Sequence, residues 1–188
     1  MYNIYLLIGL PLIILGYVVF VWRWRKNEQK FYPKNRPLLF GHRGSPSKMT
    51  ENTIASFEKA ISQGVDGLEL DIRLSKDKKI VIFHDSDLKR LAKTDAKIKN
   101  KTYNQLKKYP LKTGGTIPQL DDIIPLLDKI KVVNIEIKSD GIMKGHSIIS
   151  PLIQFLEEHK IDDKCIVSSF NPLILLQLKL RRKKTIIG

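Results

Sequence analysis

The hydrophobic pattern divides the chain into an uninterrupted apolar start and an alternating remainder. Residues 1–22 carry no charged side chain and are dominated by Ile, Leu, Val and aromatics. At about 1.5 Å per residue, roughly 20 apolar residues span the ~30 Å hydrocarbon core of a bilayer. Gly9 and Pro11 weaken a soluble helix but are tolerated in a membrane one. Tyr2, Tyr5, Trp22 and Trp24 stand near the two ends, where amphipathic rings favour the interface. A cleaved leader would want a charged start, a shorter apolar stretch and small residues at a cleavage site, and the segment has none of these. The pattern therefore predicts a transmembrane anchor over residues 1–24. Arg23, Arg25, Lys26 and Lys30 follow the apolar run with no positive charge before it. The positive-inside rule then places the rest of the chain on the cytoplasmic side of a single-pass membrane protein.

Residues 25–36 are polar, with Pro33 and Pro37 around their end, and read as a linker. From 37 to 188 short β-rich runs alternate with helical patterns. Strands are expected at 38–40, 67–74, 80–84, 132–138, 165–170 and 185–188, and helices at 53–63, 120–130, 150–159 and 172–182. In the first helix Ile54, Phe57 and Ile61 share a face, and Gly64 follows as a stop. This alternation implies βαβ units and a parallel sheet. A doubly wound sheet would carry a Gly-rich phosphate turn after its first strand. Here the first run leads instead into Gly41-His42-Arg43-Gly44, which lacks that pattern. A β/α barrel with charged residues at the C-terminal ends of its strands fits better. Such barrels have eight strands and about 250 residues. The expectation is thus a (β/α)8 TIM-type barrel over 37–188, lacking its last strands and preceded by one N-terminal transmembrane helix.

Composition adds a partner class. Hydrophobic residues make up 43% and charged residues 28%, a globular balance, yet the net charge is +14. Such an excess draws a protein towards nucleic acid, anionic lipid or phosphorylated substrates. A nucleic-acid binder would interleave aromatics with its basic residues or carry a reading motif, and the basic segments have neither, so no nucleic acid is expected. Cys165 is the sole cysteine, which rules out an intramolecular disulfide and permits a reducing compartment.

The candidate chemistry sits where the apolar runs end. His42 follows Leu38-Leu39-Phe40-Gly41, and His84 follows Ile80-Val81-Ile82-Phe83. Both stand where a barrel presents its active-site residues, and imidazole suits general acid–base work near neutral pH. Glu69 and Asp71 lie two apart within 67–74, so both point to one face of a strand. Unpaired charge is costly in a sheet covered on both sides, and a cation is the natural partner. Glu136 repeats the theme in 132–138, with Lys138 two residues on along the same face. Three carboxylates without a cysteine cluster favour a hard divalent cation, Mg²⁺ or Ca²⁺, over zinc. Lys138 either binds a phosphate or pairs with Glu136.

These residues form an ordered series: Gly41-His42-Arg43-Gly44, Glu51-Asn52-Thr53, Glu69-Leu70-Asp71, His84-Asp85, Ile117-Pro118-Gln119-Leu120 and Glu136-Ile137-Lys138. In order and spacing the series resembles the glycerophosphodiester phosphodiesterase family over roughly residues 38–170. The resemblance implies a metal-dependent phosphoric diester hydrolase that yields sn-glycerol 3-phosphate and an alcohol. It implies His42 and His84 as the acid/base pair and Glu69, Asp71 and Glu136 as metal ligands. It also implies Arg43 as a phosphate contact and Glu51 as the residue that orients the His42–Arg43 turn; Lys138 stands beside them as a candidate substrate contact. Leu91-Ala92 stands where the family usually has threonines, which bears on the substrate pocket. Lysophospholipase D action at the membrane, an inactive truncated relic, and a phosphoinositide- or sphingomyelinase-type phospholipase are the alternative readings. The basic residues Lys179, Arg181, Arg182, Lys183 and Lys184 suit either an anionic membrane face or an ordinary helix end.

Overall fold

In the computed structural model the backbone is described for residues 2–23, 36–141 and 144–188, and side chains for 8–18, 36–141 and 144–188. The chain forms two compact units, Met1–Lys30 and Phe31–Gly188. The first contains one helix, α1 (Tyr2–Arg23), with Pro11 inside it. Ile8, Leu10, Leu12, Ile13, Ile14, Leu15, Tyr17 and Val18 are all exposed on it. Among the described residues no helix is long and apolar enough to cross a membrane. Side chains of α1 are described only over 8–18, so much of the anchor expected over 1–24, and nearly all of the linker expected over 25–36, lies outside the described residues.

In the second unit six strands form one sheet. They are β1 (Phe40–His42), β2 (Gly67–Leu74), β3 (Ile80–Ile82), β4 (Val132–Ile137), β5 (Cys165–Ser168) and β6 (Ile186–Ile187). The path β1-β2-β4-β5-β6 is parallel throughout, the sequential order of a β/α barrel.

The run at 80–84 departs from expectation. β3 pairs antiparallel with β2 and lies off the main path. A parallel partner needs a crossover of a dozen or more residues. Here the chain reverses within a tight turn in which the Ser75 N–H donates to the Lys79 carbonyl at 2.9 Å and Lys78 takes φ 62°. The strand ends at Ile82, and the Phe83 N–H turns back to the Asp71 carbonyl at 2.8 Å.

The helices follow their sequence signals. α2 (Ile54–Ser62) starts at Thr53, whose side chain accepts from the Ser56 N–H, and it buries Phe57 and Ala60. α3 (Lys89–Ala92) and α4 (Tyr103–Leu106) are single turns, too short to show a helical period. The segment expected as an α-helix at 120–130 is a 3₁₀ helix, Leu120–Lys129. Pro125 lies inside it, and a ring without an N–H cannot complete an α-helical ladder. α5 (Ile149–His159) and α6 (Pro172–Arg181) complete the unit, the latter capped by Asn171 with proline in its first turn.

Strand alternation then sorts the side chains. Leu68, Leu70 and Ile72 of β2 and Val133, Ile135 and Ile137 of β4 join Phe57, Ile123, Leu152 and Leu178 in one buried cluster against the helices. Glu69, Asp71, Asn134 and Glu136 are left on the opposite face. A second cluster around Val81, Phe83, Leu88, Leu106 and Ile117 supports the excursion between β3 and the 3₁₀ helix.

The turn after β1 depends on Gly44, whose φ is +88°. A Cβ there would lie 2.6 Å from the Ser56 carbonyl carbon. We expect Gly44→Ala to destabilise the fold by about 1–3 kcal/mol, from left-handed strain and overpacking together. Thermal melts in detergent micelles would show it as a lower midpoint than wild type, and an unchanged midpoint would mean that the turn relaxes freely.

Candidate active site

Parallel register sets the geometry. His42 lies opposite Glu69, and Asp71 lies opposite Glu136. His42 closes β1 with its imidazole largely exposed and its Nε2 3.8 Å from Glu69 Oε2. The chain then bends at Arg43, at φ 55°, whose backbone N–H donates to both the carbonyl and Oε2 of Glu69 at 3.0 Å. The Arg43 guanidinium reaches Glu51 Oε1 at 3.0 Å and places Nε 3.2 Å from Asp71 Oδ2.

Asp71 is fully buried, and Asn52 clamps it from two sides. The Asn52 amide donates to Asp71 Oδ2 at 2.8 Å, and its oxygen accepts from the Asp71 N–H at 3.2 Å. Lys138 Nζ donates to Glu136 Oε1 at 2.6 Å and lies 3.0 Å from Asp71 Oδ1. The latter contact is an ion pair without hydrogen-bond geometry, so Asp71 Oδ1 still counts, with Glu69 Oε1, among the buried oxygens that no donor satisfies.

One ligand oxygen from each of Glu69, Asp71 and Glu136 can be chosen so that all lie within 4.8 Å of one another. Burial, reinforced by the charges of Asp71 and Glu136, pushes the Glu69 carboxyl up to about 7. The donor set fits a hard divalent cation: oxygen ligands only, within reach of one ion, two of them lacking a hydrogen-bond donor.

His84 reaches the site from the exit of β3. Its Nδ1 lies 2.7 Å from Asp85 Oδ1, and its carbonyl accepts from Arg73 Nε at 2.8 Å. Burial pushes Asp85 up, but hydrogen bonds from Arg90 and His84 outweigh it and hold the carboxyl below its ordinary value. An ionised Asp85 only accepts, so Nδ1 carries the proton of this hydrogen bond. His84 and Glu136 line one cavity of about 360 Å³ together with Arg73, Lys138 and Phe170. Phe170 is 92% exposed, with Lys138 Nζ 5.8 Å from its ring centroid.

Arg90 is the participant that sequence reasoning missed. Its Nε donates to Asp85 Oδ2 at 2.7 Å, and its two terminal nitrogens donate to Glu51 at 2.8 and 2.6 Å. It thereby ties the His84–Asp85 pair to the Glu51–Arg43 pair. The hydrogen bond from Arg90 is the main influence that holds Glu51 below its ordinary value. The only trace in sequence is an arginine five residues after Asp85, on a helix of one turn.

The structure thus brings His42, Arg43, Glu51, Glu69, Asp71, Glu136 and Lys138 together around the C-terminal ends of β1 and β4 and the middle of β2, with His84 on a cavity shared with Glu136. The model of the glycerophosphoryl diester phosphodiesterase family matches residues 42–186. A glycerophosphodiester phosphodiesterase of Caldanaerobacter subterraneus is 36% identical over 152 residues, which cover 77% of this chain and 62% of the relative. One from Bacillus altitudinis is 34% identical over 142 residues, covering 71% and 58% respectively. Among solved structures, the Thermotoga maritima glycerophosphodiester phosphodiesterase superposes with a TM-score of 0.68 at 36% identity, over 82% of this chain and 62% of that one. An Oleispira antarctica phosphodiesterase in complex with the product sn-glycerol-3-phosphate gives 0.72 at 31% identity, over 81% and 65%. The chain spans about 60% of the length of the curated relatives it matches.

A carboxyl whose folded pKa is raised contributes stability at low pH and loses it as pH rises through the folded value. In chelator, wild type therefore loses stability as pH rises from about 4.5 to about 7. Glu69→Gln should escape that loss, so its melting midpoint gains on wild type as pH rises. Added Mg²⁺ or Ca²⁺ should raise the wild-type midpoint and leave the variant unmoved; equal shifts in both would place the cation elsewhere.

Proposed function

Because this chain belongs to the glycerophosphoryl diester phosphodiesterase family, we propose that it is a phosphoric diester hydrolase that converts glycerophosphodiesters to sn-glycerol 3-phosphate and an alcohol. The observation that carries the reading is the cluster of three carboxylates on one face of β2 and β4, flanked by His42 and by a cavity that holds His84. Glu69, Asp71 and Glu136 are the residues that would hold a divalent cation, Mg²⁺ or Ca²⁺. When bound, that ion supplies positive charge beside the non-bridging phosphate oxygens.

The chain's own residues supply the remainder. His84 exchanges a proton through Nε2, the nitrogen turned away from Asp85, and Asp85 stabilises the imidazolium form. His42 is the second proton carrier, turned towards Glu69. One histidine activates the attacking oxygen, from water or from the substrate's own glycerol hydroxyl, and the other protonates the leaving alkoxide. Arg43 and Lys138 offer cationic donors for the phosphate oxygens. Glu51 orients Arg43 and is itself held by Arg90.

A second substrate, a lysophospholipid, is favoured by two observations. The rat relative named lysophospholipase D is 27% identical over 176 residues, 82% of this chain and 55% of its own length. The described side chains of α1 are apolar and exposed all round, as suits lipid rather than water. On this reading residues 1–24 are a single-pass anchor with the catalytic unit on the cytoplasmic side.

In micelles with Mg²⁺ or Ca²⁺ we expect turnover of glycerophosphocholine or lysophosphatidylcholine. It should fall about 10²–10⁴-fold in His42→Ala and in His84→Ala, and stop in excess chelator. Wild-type rates in either variant would remove that histidine from the mechanism. Deleting residues 1–24 should release the protein from the membrane fraction, and a deletion variant still retained there would end the anchor reading.

A further inference from the structure

A second cavity opens beside the one that holds His84, at the same end of the sheet. Its volume is about 440 Å³, and it shares Arg73 and Lys138 with its neighbour. Four more cations line it: Lys76 and Lys78 from the β2–β3 turn, Lys99 from the short 3₁₀ helix Ile98–Asn100, and Lys144 from the segment between β4 and α5. Asp140 is the one carboxylate in its wall, and Arg73 already holds it, Nη1 to Oδ1, at 2.8 Å.

This arrangement is more than a solvated lysine face. The cations come from separate chain segments and converge on one concave surface, and the tight β2–β3 hairpin delivers two of them. Among the described residues, Lys76, Lys78, Lys99 and Lys144 have no ion-pair partner. The nearby Asp77 is turned instead to the Ser75 hydroxyl and the Tyr103 N–H. Like charges gathered in a concavity focus field lines and raise the local concentration of an anion. A cationic head group such as choline would meet repulsion there. The hydroxyl-bearing Ser86 and Ser147 in the wall suit a polyol.

We propose that this cavity is the leaving-group subsite and that it selects glycerophosphodiesters whose alcohol carries its own phosphate, such as a phosphorylated polyol head group. The assignment rests on the reaction proposed above. A diester bound at Glu136 and His84 extends past Lys138 and Arg73, the two residues common to both cavities, so its far end enters the lysine-lined space. Arg73 also positions His84 through that residue's carbonyl, which couples head-group contact to the catalytic loop.

The test uses the full chain in micelles with two soluble diesters, glycerophosphocholine and glycerophosphoinositol phosphate. A lysolipid carrying the phosphorylated head group is a third substrate. The control is the combined variant Lys76→Gln, Lys99→Gln, Lys144→Gln, whose melting midpoint should match wild type because all three side chains are exposed. Wild type should prefer the phosphorylated head group about tenfold or more in kcat/KM, mainly through KM, on the soluble diester and the lysolipid alike. The variant should lose that preference with its rate on glycerophosphocholine unchanged. No wild-type preference, or an equal loss on both soluble diesters, would overturn the subsite. Equimolar inorganic phosphate should leave the preference intact; if it erased the preference, the cavity would be a free-phosphate site instead. If wild type turned over none of the substrates, the proposed reaction would fail. Calorimetric titration with inositol phosphate would then decide the cavity alone: binding lost in the variant supports it, and no binding to wild type ends it.

Discussion

Glu69, Asp71 and Glu136 repel one another, and the rest of the site is organised around that repulsion. Two like charges about 4 Å apart cost about 4 kcal/mol at an effective dielectric of about 20, against a total domain stability of about 5–15 kcal/mol. The fold offsets this with the Asn52 clamp on Asp71, the Arg43 guanidinium between Asp71 and Glu51, and the Lys138 ammonium between Asp71 and Glu136. These contacts still leave Glu69 Oε1 and Asp71 Oδ1 without a hydrogen-bond donor. The proposed divalent cation would complete the neutralisation.

The scaffold holds these groups close because each lies on a strand whose other face is locked into the helix-covered cluster. Neither β2 nor β4 can shift register without moving Leu70 or Ile135 out of that cluster. The loops are held differently. Two chains of polar contacts, His84–Asp85 and Arg43–Glu51, meet at Arg90, which links the β1–α2 turn to the β3 exit. The same antiparallel hairpin that sets β3 apart brings lysines to the edge of the site.

The parallel strands, to within two residues, and the clustering of the candidate carboxylates were legible in sequence because each depends on a local pattern. Two carboxylates spaced by one residue in a β-rich run can only share a face, and that run is β2 to the residue. The helices expected at 53–63, 150–159 and 172–182 also lie close to their expected bounds. The run at 80–84 misled because its composition marks a strand but carries no sign of direction; the five-residue turn before it decides that. The 120–130 segment kept its apolar spacing while Pro125 altered its hydrogen bonding. The link from Arg90 to Glu51 and the lysine-lined cavity could not be read, since each joins segments that lie far apart in the chain and meet only through the topology.

The measurement closest to the centre of this account is the number of divalent cations bound per chain. Chelator-stripped protein, dialysed to equilibrium against Mg²⁺ or Ca²⁺, should take up one ion per chain, and Glu136→Gln, still folded by its thermal melt, should bind it far more weakly. A chain that takes up no ion, or a variant that binds as tightly as wild type, would contradict the claim that these three carboxylates are built around a metal.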